Sequence, residues 1–177
     1  MENKILIAYF VQKGKEDESA SVKVAQSLGE LLKAKGEEFA TFAITPTEEY
    51  PSERENFELA TKIEKEQRHR PELVGKYSGM KYVEKLILVT PNWWDDMPMA
   101  VYSFLDTYDF AEKKIVPVVV HGGTGVEKVT EQLRAFLHKV CVLPTVEINA
   151  ENLDAAGAKE AEQKAIEELF QPSVNKY

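Results

Sequence analysis

KLILVTPNWWDDMPMAVYSFLDTYDFAEKKIVPVVV, the stretch from Lys85 to Val120, decides the fold. Lys85 to Thr90 and Ile115 to Val120 are apolar runs of strand length, rich in branched side chains. Runs without polar alternation belong to strands buried on both faces. Between them Val101, Phe104 and Leu105 recur at helical spacing. A buried strand, a helix and a second buried strand make a βαβ unit, whose crossover is right-handed and whose strands are parallel.

The same alternation continues in both directions. Upstream lie a strand at Lys4 to Phe10, a helix carrying Val24, Leu28, Leu31 and Leu32 with Gly36 as its stop, a strand at Phe39 to Ile44, and a helix with Phe57, Ala60 and Ile63 inward. Downstream come a helix with Val129, Leu133, Phe136 and Leu137, a strand at Val140 to Ile148, and a last helix with Ala158, Ala161, Ala165 and Leu169. About five strands suit a doubly wound α/β sheet rather than a barrel, which needs about eight. At 177 residues the chain fits one domain, 1–177. Thr45 to Glu55, with Pro46 and Pro51, reads as a surface excursion within it.

Composition narrows the function classes. At 44% hydrophobic and 29% charged the chain has the balance of a globular protein, and no apolar run is long enough to span a bilayer. Thirty acidic residues against 22 basic leave a formal charge of −8, which repels nucleic acid and anionic lipid and favours basic partner surfaces. The single cysteine, Cys141, has no partner for an internal disulfide, and the amino terminus lacks the pattern of a signal peptide. Both points lead to an expected cytoplasmic location.

In an open α/β sheet, ligands settle beyond the carboxyl ends of the strands where the strand order reverses. The loops Val11 to Ser21, Pro91 to Met97 and His121 to Thr124 should meet there. The second holds both tryptophans, Trp93 and Trp94, which serve either to face a planar aromatic ligand or to plug the sheet edge. Asp96, just before Met97-Pro98, reads as a helix N-cap or first-turn acid. In the third loop, Gly122, Gly123 and Gly125 allow positive φ and a close backbone approach, while Thr124 and Glu127 fit a capping box.

Ile5-Leu6-Ile7-Ala8-Tyr9-Phe10, Pro91-Asn92-Trp93-Trp94, Met97-Pro98, Ser103-Phe104-Leu105 and His121-Gly122-Gly123-Thr124-Gly125, in that order, resemble a flavodoxin-like branch with P-x-W-W and H-G-G-S-G loops. Tyr50-Pro51 and Arg70-Pro71-Glu72-Leu73 are similar to pieces of the same branch. The resemblance implies a three-layer sandwich on a five-stranded parallel sheet of order 2-1-3-4-5. It also implies a flavoprotein that binds FMN and acts in electron transfer or as a small flavin-dependent reductase. By position, Pro91, Asn92, Trp93 and Trp94 on one side and His121, Gly122, Gly123, Thr124 and Gly125 on the other would flank the isoalloxazine ring, with a tryptophan stacked on it. A basic redox protein is the implied partner. No residue is assigned a catalytic role.

Two loops depart from that pattern. The family's phosphate loop reads roughly S-x-T-G-x-T, whereas this chain has Val11-Gln12-Lys13-Gly14-Lys15-Glu16-Asp17-Glu18-Ser19-Ala20-Ser21. Counted from the strand, only Gly14 matches, with Val11, Lys13 and Glu16 at the hydroxyl positions and Gln12 between the first two; counted back from the helix, Ser19 and Ser21 supply hydroxyls. Glu16, Asp17 and Glu18 complement a helix dipole as first-turn acids but repel a phosphate. Asp95 stands where the family has glycine. The alternative function is therefore a flavin-free binding or regulatory module with a degenerate phosphate loop.

Other chemistries find no support. His69, His121 and His138 lack metal-ligand spacing, and only His121 falls on a candidate ligand loop. There is no nucleophile elbow for hydrolysis. A receiver domain needs an acid at the end of the third strand, where Thr90 and Pro91 stand. Glu160 to Glu168 reads as an exposed helix face.

Overall fold

Each apolar run becomes a parallel strand, and each helical pattern a crossover. The computed structural model describes residues 3–123 and 126–172. In chain order the elements are β1 (Ile5–Phe10), α1 (Ala20–Ala34), β2 (Phe39–Ile44), α2 (Arg54–Glu66), β3 (Lys85–Pro91), α3 (Met99–Thr107), β4 (Lys114–His121), α4 (Val126–Phe136), β5 (Cys141–Val142), β6 (Val146–Asn149) and α5 (Ala156–Phe170). The sheet order is β2-β1-β3-β4-β5, all parallel, as the resemblance implied.

Side chains alternate across each strand, so the continuous apolar runs feed two cores. Ile5, Ile7, Ile87, Val89, Val116 and Val118 meet Val24, Leu28 and Leu32 of α1 and Ala165, Ile166 and Leu169 of α5. On the opposite face Leu6, Ala8, Leu86, Leu88, Ile115 and Val119 meet Val101 and Phe104 of α3 and Val129 and Leu133 of α4. Most of these side chains are wholly removed from water, each contributing about 1.5–3 kcal/mol when large and aliphatic.

The fifth strand differs from the reading over Val140 to Ile148: it is two pieces, both alongside β4. β5 pairs with Lys114 and Ile115, and β6 with Val118 to His121. Between them Val116 and Pro117 of β4 stand opposite Leu143, Pro144 and Thr145, one residue more. Leu143 still donates to the Ile115 carbonyl at 2.8 Å, but Pro144 has no N–H to give, so the ladder breaks there as a bulge.

Two helices also depart from expectation. α2 does not cover the sheet: Ile63, placed inward by periodicity, is exposed, and Thr61 is the helix's buried residue. Phe57 and Thr61 instead face the tryptophan loop, described below. On α5 the charged stretch is not wholly solvated, because Glu162 is buried against α1, where the Ser27 hydroxyl donates to its carboxylate.

Burial raises the Glu162 pKa above the ordinary carboxylate value of 4.5, more than the Ser27 hydrogen bond and Lys159 lower it. The native state therefore holds this proton more tightly than the unfolded chain does, and stability is lost as pH rises through the folded value. Glu162→Gln keeps an acceptor for Ser27 without the charge. Urea titrations at pH 7 should find it more stable than the parent, and the difference should vanish below pH 4.5, where Glu162 is protonated in both states.

Candidate functional site

The three loops that follow β1, β3 and β4 meet at the carboxyl edge of the sheet, where the Asn92 amide ties the second to the end of β4 by donating to the Val120 carbonyl at 3.2 Å. They enclose a pocket of about 350 Å³. Gln12, Ser19 and Ser21 line it from the first loop and the start of α1, Pro91, Asn92 and Trp93 from the second loop, and His121 and Gly122 from the third. A second, open pocket of about 420 Å³ adjoins it through Asn92 and Gly122, and is completed by Trp94, Asp95 and Gly123. Thr124 and Gly125 lie outside the described residues. Lys13 and Gly14 line neither pocket: the Lys13 ammonium turns away to donate to the Thr47 carbonyl at 2.7 Å.

The two tryptophans divide the roles that sequence left open. Trp93 is a plug, packed edge-on against Phe10, Phe57 and Tyr50 with ring centroids 4.9, 5.1 and 5.4 Å apart. Tyr50 belongs to the excursion read as surface, and its hydroxyl donates to the Glu64 carboxylate at 2.9 Å. Trp94 is 42% exposed; its indole N–H donates to the Thr61 hydroxyl at 3.0 Å, leaving the ring beside the second pocket.

Trp93 and Asp96 close a two-residue turn, with the Trp93 amide donating to the Asp96 carbonyl at 2.8 Å and the Asp96 amide to the Trp93 carbonyl at 3.1 Å. Both central residues, Trp94 and Asp95, have φ of 58°, the left-handed region that favours glycine and is uncommon for a bulky side chain. A glycine, which the resemblance calls for at position 95, takes this conformation without strain; here Asp95 takes it. The strain persists because neighbours hold the turn. The Lys65 ammonium donates to the Trp94 carbonyl, and Lys128 pairs with Asp95 at 3.0 Å.

Asp96 is not the helix cap that sequence suggested, since α3 begins at Met99 with Pro98 at the cap position. Its buried carboxylate instead accepts the Met97 amide at 2.7 Å and the Tyr102 hydroxyl at 2.6 Å. Burial, and then this carboxylate, push the Tyr102 pKa far above that of an ordinary phenol.

The first loop is rebuilt. Gly14, at φ 80°, lets the Lys15 amide return to the Gln12 carbonyl at 3.0 Å. Glu16 to Glu18 form a single 3-10 turn ahead of α1, so they are not its first-turn acids. The Glu16 carboxylate accepts the Gly14 amide at 3.1 Å. Its own amide and that of Gly14 hold its pKa below the usual carboxylate range. Ser19 caps α1, accepting the Val22 amide at 3.4 Å. Glu18, one of the acids read from sequence as repelling a phosphate, and Lys15 also line the first pocket.

In the third loop His121 Nδ1 accepts the Gly123 amide at 3.0 Å, and Nε2 lies 3.9 Å from the Glu147 carboxylate. A Cβ built on Gly122 or Gly123 meets nothing within 4 Å, so the space above their backbone is open.

A family model described as flavodoxin matches residues 4–161. No curated protein matches the sequence. Among solved structures, a candidate flavoprotein from Bacteroides eggerthii superposes with a TM-score of 0.73 at 20% identity, over 96% of this chain and 99% of that one. A flavoprotein in complex with FMN from Lactobacillus acidophilus gives 0.66 at 12%, over 86% and 96%. An NADH:FMN oxidoreductase in its apo form gives 0.62 at 16%, over 99% and 95%. At these identities the likeness is one of fold.

Replacing Asp96 by Ala leaves the Met97 amide and the Tyr102 hydroxyl without their acceptor. Thermal or urea unfolding should read a loss of about 2–3 kcal/mol, and tryptophan emission should shift as the turn carrying Trp94 loosens. An Asp96→Ala, Tyr102→Phe double-mutant cycle should give a coupling of about 1–2 kcal/mol.

Proposed function

This chain belongs to the flavodoxin family, and from that premise we propose that it binds FMN at the carboxyl edge of its sheet. It would serve there in electron transfer or as a small flavin-dependent reductase. The observation that carries this reading is the pair of adjoining pockets, about 350 and 420 Å³, which share Asn92 and Gly122 and bring the tryptophan and glycine loops face to face.

The residues at the ring end fit a flat aromatic group. Trp94 offers a π surface, and the open backbone of Gly122 and Gly123 leaves room for a planar ligand that a Cβ would fill. When bound, the flavin supplies the redox chemistry, and the protein supplies position and electrostatics. Trp93, wedged against Phe10, Tyr50 and Phe57, closes the floor beneath the site to water. His121, oriented by the Gly123 amide, presents an imidazole to the pocket as a hydrogen-bonding group. Gln12, Ser19 and Ser21 lie where the ribityl chain would run. The formal charge of −8 suits a basic redox partner. Among the described residues no helix is long and apolar enough to cross a membrane.

Absorbance spectra of the purified protein, before and after adding FMN and removing the excess, test the reading. Flavin bands that stay with the protein are expected. A colourless protein that takes up no FMN would sink it and leave a flavin-free binding module. With FMN bound, Trp94→Ala should weaken affinity by roughly three- to tenfold, the worth of one aromatic stacking contact, as read by flavin fluorescence quenching.

A further inference from the structure

The tail end of the pocket disagrees with a phosphate, and we infer that this site takes flavins with and without the terminal phosphate at comparable affinity, its selectivity residing in the ring. This rests on the flavin reading above.

Four features of the first loop lead to it. A phosphate monoester carries close to two negative charges at neutral pH and is held by hydroxyls, backbone N–H groups and cations acting together. In this loop the Gly14 amide is already committed to the loop's own carboxylate, Glu16, at 3.1 Å. The Lys13 ammonium is spent on the Thr47 carbonyl at 2.7 Å, outside the pocket. Ser19 accepts the Val22 amide in capping α1. The charged side chains that face the pocket from the loop are a cation and an anion together, Lys15 and Glu18, beside the neutral Gln12, Ser19 and Ser21; the two charges offset one another toward an incoming dianion. The remaining attraction is that of the α1 amino terminus, which a neutral hydroxyl also uses as a hydrogen-bond acceptor.

The loop has thus replaced an external anion with an internal one. Glu16 occupies backbone N–H groups that a phosphate would otherwise claim. A flavin ending in a hydroxyl meets no uncompensated cation, and one ending in phosphate meets Lys15 and Glu18 together.

Titrating the full chain with riboflavin and with FMN, by quenching of flavin fluorescence at low and high salt, tests this. The two dissociation constants should agree within about tenfold, and FMN affinity should change little with salt. Glu18→Gln, an exposed substitution that leaves the fold intact by circular dichroism, should tighten FMN several-fold and leave riboflavin unchanged. FMN binding more than about 100-fold tighter than riboflavin, or a Glu18→Gln variant with an unaltered ratio, would overturn the inference while keeping the flavin site. Binding of neither flavin would overturn the site reading itself.

Discussion

A buried carboxylate holds the carboxyl edge together. Asp96 stands at the exit of the β3 loop, where the chain must reverse through two residues of positive φ and at once begin α3. Its Oδ1 accepts both the Met97 amide and the Tyr102 hydroxyl, so the turn and the first turns of α3 are bound to one atom. A charged acceptor in low dielectric is worth more than the same bond in water, and costs more if left unmade. The turn in turn fixes which tryptophan points inward and which stands beside the pocket. Lys65, 4.0 Å from Asp96 and bonded to the Trp94 carbonyl, brings α2 into the same arrangement.

That attachment explains why α2 escaped the periodicity argument. A helix that packs on a sheet shows a wide apolar stripe; α2 packs on a loop through Phe57, Thr61 and Lys65, and its Leu59 and Ile63 remain exposed. The other helices and all the long strands were legible because their partners are the two sheet faces, where burial dictates residue type along the whole element. The division of the last strand was not legible from apolar pattern alone, since Pro144 and its effect on pairing depend on what β4 offers opposite it. Glu162 hid inside a charge run because α5 turns one charged position toward α1.

The site was legible to the extent that position in the fold determines it. Loops after β1, β3 and β4 must meet, and Pro91, Asn92, Trp93, His121 and Gly122 do line one pocket. Sequence could not assign separate duties to Trp93 and Trp94, because the difference lies in the φ of the residues between Trp93 and Asp96. In the first loop Ser19 and Ser21, reached by counting back from the helix, line that pocket, whereas Lys13 and Gly14 lie in a turn that closes on itself. Glu18 was legible as an acid in the phosphate loop, but that it and Lys15 come to the pocket together depends on the 3-10 turn ahead of α1.

The broken last strand bears on how the molecule behaves in company. A sheet ends safely only if its border cannot recruit another chain, since a long, flat row of free amides and carbonyls is a template for further strands. Here that border consists of two residues, a bulge containing a proline, and four residues more, with Glu147 pointing out to solvent. Along this edge a neighbouring polypeptide finds no uninterrupted run to zip against. The residue that made the strand hard to recognise thus also keeps the sheet from growing on the β4 side.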